Sequence, residues 1–112
     1  MKIALSSAPV KNKDIPHNLA AMTAALAQAA ADGADLVVFG ESTLQGFDCL
    51  CWSYAADRDM ALPLDSAPIR QLQDAAQKYA TAISFGFIER DGDALYSSCA
   101  FIGADGEIIH RF

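Results

Sequence analysis

The sequence predicts an α/β fold on a mixed sheet, and three observations carry that reading. A short apolar segment, an alanine-rich helix and a second apolar segment follow one another over residues 2–39. A second helix then leads into a third apolar segment ending at Ile88, and the remainder alternates strand-like segments with Asp-Gly turns. Strand, helix, strand read twice implies parallel crossovers, and strands joined by short turns imply an antiparallel meander.

Lys2 to Ser7 reads as a strand, closed by Pro9 and the polar Lys11-Asn12-Lys13-Asp14. Asp14 is placed to accept hydrogen bonds from the free N–H groups of a first helical turn, and Pro16 fits that turn because its missing donor is not needed there. Leu19, Met22, Leu26 and Ala29 recur at helical spacing until Asp32-Gly33 stops the run. Leu36-Val37-Val38-Phe39 is apolar on both faces, which suits a central parallel strand. A loop from Gly40 to about Cys51 precedes Trp52 to Leu62, of weak helical character and broken by Pro63. The second main helix opens at Asp65 or Ser66, carries Pro68 in its first turn, and aligns Ile69, Leu72, Ala76 and Tyr79. Ala82 to Ile88, Leu95 to Ile102 and Glu107 to Phe112 are the remaining strands, with turns at Asp91-Gly92-Asp93 and Gly103-Ala104-Asp105-Gly106. The two crossover helices are expected on one face, which leaves the other needing cover. The chain stops inside an apolar strand, so a single incomplete domain over residues 1–112, the first part of something longer, is the expected organisation.

Composition bounds the function. With 112 residues, 53% hydrophobic and 20% charged, the chain can form one core. Fourteen acidic residues against eight basic ones give a net charge of −6, and the basic residues are scattered. That balance disfavours nucleic acid and anionic membrane surfaces as partners. No apolar run approaches the ~20 residues of a membrane span. Three cysteines form no disulfide framework, so a reducing, cytoplasmic setting is expected.

Ligand sites of open α/β sheets lie beyond the carboxyl ends of the parallel strands. Glu41 stands there, one glycine after Phe39, and burial at such a place would raise a carboxyl pKa towards the range of a general base. A solvated loop glutamate or a helix-capping acid is the competing reading.

Leu36-Val37-Val38-Phe39-Gly40-Glu41, followed by Gly46-Phe47-Asp48, resembles the segment around the catalytic glutamate of the nitrilase superfamily of carbon-nitrogen hydrolases. Ile83 to Glu89, Leu95-Tyr96-Ser97-Ser98 and Ile102 to Ile108 resemble the family's later strands in the same order. The family usually has proline at the Gly40 position and asparagine at the Ser97 position. The resemblance covers the whole chain, and four motifs in register are more specific than any one. It implies the first part of a four-layer αββα sandwich and a Glu-Lys-Cys triad acting on a small amide, carbamoyl compound or nitrile, with no cofactor. Glu41 matches the glutamate. The lysine is implied shortly after the last strand and the cysteine beyond it, so the chain alone is expected to be inactive.

Cys99, mid-strand, reads as a buried inert thiol. Cys49 and Cys51 have metal-like spacing without a second ligand pair, and no metal site is assigned. Lys11, Lys13 and Lys78 read as solvated charges. Phe47 and Trp52, in the loop after Glu41, could line a substrate pocket or pack in the core, and Asp48 and Tyr54 are equally ambiguous. His17 and His110 receive no role. The uncovered sheet face implies a homo-oligomer or a partner that completes the sandwich. The alternative function is a non-catalytic α/β interaction domain that self-associates through that face.

Overall fold

The computed structural model describes residues 1–7 and 9–112. Among them, β1 (Ile3–Leu5), α1 (Ile15–Ala31), β2 (Leu36–Val38), α2 (Tyr54–Met60), α3 (Ala67–Tyr79), β3 (Ala82–Asp91), β4 (Ala94–Ile102) and β5 (Ile108–Arg111) follow in chain order. The five strands form one sheet in the order β1-β2-β3-β4-β5. The first three run parallel, and β4 and β5 are antiparallel to their neighbours.

The helix signals act as the sequence predicts. The Asp14 carboxylate accepts the His17 N–H at 3.1 Å, and Pro16 and Pro68 occupy the first turns of α1 and α3. The weakly helical stretch narrows to the two turns of α2, a third and shorter helix beside the two main ones. The first strand is shorter than Lys2 to Ser7, although Ser6 N still donates to Val38 O.

Helices α1 and α3 pack together on one face. Leu19, Met22 and Leu26 of α1 and Ile69, Leu72 and Ala76 of α3 close over Val37, Ile83, Phe85, Ala100 and Ile102 of the sheet. Each large apolar side chain so buried contributes about 1.5–3 kcal/mol relative to exposure. Strand side chains alternate in face, so the row that pairs Leu5, Val38, Ser84, Phe101 and His110 points away from the helices. Among the described residues, Cys49 and Ala61 cover that face over Ile88 at the Asp91 end, and the rest of it is open, with Leu5 80% exposed.

Strand β2 ends while β3 continues, which strands the β3 edge from Gly86 onward. Unpaired buried backbone groups are costly, and other segments replace the missing strand. Gly86 N donates to Gly40 O at 3.1 Å, the Gln45 side chain pairs with Ile88, and Leu62 brackets Glu89 by receiving from Arg90 N and donating to Ile88 O. The segment after β2 is thereby laid along β3, and this places the site.

Candidate active site

The turn that carries Glu41 begins where β2 ends. Phe39 N donates to Ser84 O at 2.8 Å, the last ladder bond before the chain turns, and Gly46 N donates to Ser42 O at 2.7 Å inside the turn. Ser42 takes a left-handed backbone (φ 49°), a conformation uncommon outside glycine. The turn lies directly against β3 at Gly86. A Cβ there would stand 2.7 Å from Ser42 N, 2.8 Å from Glu41 Cα and 2.9 Å from Gly40 O, so only glycine fits.

Three buried polar groups tie the turn down. Asn18 of α1 donates through Nδ2 to Lys11 O and Leu44 O and accepts Lys11 N at Oδ1. Gln45 donates through Nε2 to Ile88 O and accepts Ile88 N, both at 2.9 Å. Its backbone carbonyl accepts Lys13 N.

The Glu41 side chain is exposed. The burial expected from its place after a dry strand is therefore not found in this chain, because the strand stays dry beneath the helices whereas the turn stands at the rim of the uncovered face. Ser97 Oγ donates to Glu41 Oε1 at 3.3 Å. Glu41 borders two depressions. One, of about 230 Å³, lies at the carboxyl ends of β1 and β2 between Ser6, Met22, Phe39 and Thr43. The other, of about 400 Å³, opens on the uncovered face between Gly86, Ser97, Cys99 and Phe112.

Cys99 is half-buried on that uncovered face, with its sulfur 3.5 Å from Ser84 Oγ, which corrects the reading of a buried strand thiol. The alternation of β4 aims it away from the helical core. Cys49 is buried, and burial pushes its thiol pKa up. Cys51 is exposed, and both its backbone N–H and its thiol are bonded to the Asp57 carboxylate. Those bonds, the backbone one foremost, hold the Asp57 pKa below the usual range.

Trp52 is 87% exposed and takes a left-handed backbone (φ 64°). With Tyr54, Leu95 and Tyr96 it lines a groove of about 320 Å³ that ends at Ser97, the residue bonded to Glu41. Phe47 is 70% exposed and lines neither this groove nor the two depressions at Glu41. The Tyr54 hydroxyl donates to Asp93 O on the β3–β4 turn. Further along β3, Glu89 is buried, accepts Ser98 Oγ at 2.8 Å and pairs with Arg111 at 2.6 Å.

Gly86, Gln45 and Asn18 also build the site, although the sequence reading gave none of them a role in it. Asn18 had a signal, a polar residue four before Met22 on the apolar stripe of α1. Gln45 had none, since its partner Ile88 is distant in the chain.

Comparison with known proteins places the chain in a family. A family model described as carbon-nitrogen hydrolase matches residues 2–112. An arylacetonitrilase of Hypocrea virens is 32% identical over 99% of this chain and 36% of its own length. A citrullinase of Francisella tularensis is 35% identical over 88% of this chain and 34% of its own length. The chain thus spans about a third of the curated relatives it matches. In fold, it superposes on the crystal structure of an amidase from Nesterenkonia sp. with a TM-score of 0.80 and 21% identity, over all of this chain and 41% of that one. With the family model matching nearly every residue and the mixed sheet reproduced in a solved amidase, this chain belongs to the carbon-nitrogen hydrolase family.

Proposed function

We propose that this chain supplies the general base of a hydrolase that acts on a small amide, carbamoyl compound or nitrile, with amide hydrolysis the leading reading. The observation that carries it is the place of Glu41, in a turn seated on Gly86 beyond the carboxyl end of parallel strand β2 and facing open depressions on either side. The names of the relatives, one for arylacetonitriles and one for citrulline, and the amidase fold support a carbon-nitrogen bond as the target.

In the proposed reaction Glu41 takes the proton of a cysteine thiol, the thiolate attacks the amide carbon, and the tetrahedral species expels ammonia as Glu41 gives that proton to the leaving nitrogen. Water then attacks the thioester while Glu41 takes its proton and passes it to the departing sulfur, which releases the carboxylic acid and restores the thiol and the Glu41 carboxylate. A lysine steadies the oxyanion. The cysteine and lysine have no counterpart among the motif positions of these 112 residues, so the chain alone is proposed to be inactive. Trp52 and Phe47 are proposed as substrate contacts, Trp52 through the groove that ends at Ser97.

Ammonia release from small amides by the natural gene product tests this. Glu41→Gln is expected to lower turnover by about 10²–10⁴-fold with the melting temperature unchanged, since the side chain is exposed. Full turnover in that variant removes Glu41 from the reaction.

The exposed apolar row on the uncovered face supports a second reading, an interaction domain that binds a second copy of itself. Sustained absence of hydrolysis in the natural gene product, together with a stable dimer, would favour it.

A further inference from the structure

We propose that Gln45 is a positioning residue for the Glu41 carboxylate: its buried side-chain amide stands in for a strand at Ile88 and so sets where the turn carrying Glu41 comes to rest. The inference rests on Glu41 being the general base.

The turn is stitched to β3 at both ends. At its entrance Gly40 O accepts Gly86 N at 3.1 Å, and at its exit the Gln45 amide gives and takes a hydrogen bond with Ile88, each at 2.9 Å. Gly86 and Ile88 are alternate residues of one strand, about 6.6 Å apart along it. Glu41 hangs between these two anchors, with its Cα pressed over Gly86. Gln45 is fully buried. Its backbone carbonyl is engaged by Lys13 N, and the carbonyl before it, Leu44 O, by Asn18. The main chain reaches β3 here only through a long bond, Leu44 N to Gly86 O at 3.5 Å, so the two short exit bonds are those of the Gln45 side chain.

The chemistry demands a primary amide of this length. It presents a donor and an acceptor in one plane, as a peptide group does, and so matches both polar groups of Ile88. Asparagine has the amide but is one methylene short, and methionine has the length without the groups. An ionised glutamate only accepts, so it could take Ile88 N–H but not serve Ile88 O. A protonated glutamate could do both. Both polar atoms of the buried amide are engaged by Ile88, which makes its role one of placement.

The test compares Gln45→Met, Gln45→Glu and Glu41→Gln in the natural gene product, with kcat and KM for a small amide measured across pH beside thermal melts. Gln45→Met is expected to lower kcat by about 10- to 100-fold with KM little changed, as for a displaced catalytic group. For Gln45→Glu, the ratio of its kcat to that of the unsubstituted protein is expected to rise as the pH is lowered, when the new carboxyl becomes a donor again. Melts taken at each pH separate the two cases, since a role confined to stability would raise the ratio only where the folded fraction rises, whereas the positioning role raises it in protein that is fully folded throughout. A folded Gln45→Met with unaltered kcat overturns the inference, and so does a Gln45→Glu ratio that is flat across pH. If Gln45→Met does not fold, the Gln45→Glu ratio decides alone. Full turnover in Glu41→Gln would remove the base reading itself. Loss of turnover there, beside normal Gln45 variants, would remove only the positioning role.

Discussion

Gly86 and Glu41 touch through their backbones: a Cβ on Gly86 would lie 2.8 Å from Glu41 Cα. The other atoms within 3 Å of that position are also main chain, Ser42 N and Gly40 O, so no flexible side chain can yield. Gly86→Ala is therefore expected to push the turn off β3, at an overpacking cost of about 1–3 kcal/mol. A thermal melt should show a drop of several degrees, and ammonia release by the natural gene product should fall with it. An unchanged melting temperature would mean that the turn is not held against β3 as described.

The Glu89–Arg111 pair fastens β5 to the sheet. Glu89 is buried with Ser98 and Arg111 as its side-chain partners, and Arg111 also lies 3.8 Å from Asp91. The two carboxylates raise the Arg111 pKa, with the Glu89 hydrogen bond the main cause. Arg111→Ala leaves a buried carboxylate without its counter-ion and is expected to lower the melting temperature more than Arg111→Lys, which keeps the charge. Hydrogen exchange should show the β5 amides opening first.

Asp57 gives the fold an acid-sensitive tie. Its carboxylate accepts the backbone N–H of Cys51, and its pKa is lowered mainly by that bond. A carboxylate whose folded pKa is depressed contributes stability above its unfolded pKa, near 4, and loses it as the pH falls through the folded value. The difference in melting temperature between the unsubstituted chain and Asp57→Asn is expected to be present at pH 7 and to shrink steadily below about pH 4. A difference that stays constant with pH would assign the effect to packing.

The uncovered face should make this chain associate when it stands alone. Ile3, Leu5 and Phe112 are more than half exposed, and Leu36, Val38 and Phe101 are only partly covered. Sedimentation of the 112-residue chain is expected to show dimers or larger species that dissociate on dilution, and Leu5→Lys should shift the balance to monomer. A compact monomer at all concentrations would contradict this.

The order of elements was legible because local chemistry decided it. Asp14 and Pro16 start α1, Pro68 sits in the first turn of α3, and Gly92 and Gly106 take positive φ in the two turns, as their sequence neighbourhoods imply. Glu41 was legible from its place after an all-apolar strand. Its exposure was not, since that depends on what lies over the sheet rim. The orientation of Cys99 was also not legible, because strand alternation assigns a face only once the register with β3 is known.

What the sequence determined by itself is therefore the alternation of strands and helices, the antiparallel meander and the residue best placed to act as a base, since capping, apolar periodicity and turn chemistry act within a few residues. The tertiary structure alone decided how Glu41 is held. Gly86 beneath it, Gln45 reaching Ile88 and Ser97 bonding its carboxylate join residues some forty to sixty positions apart. Such contacts exist only after β2 ends short of β3 and the exposed β3 edge recruits whatever hydrogen-bonding groups the following turn can offer.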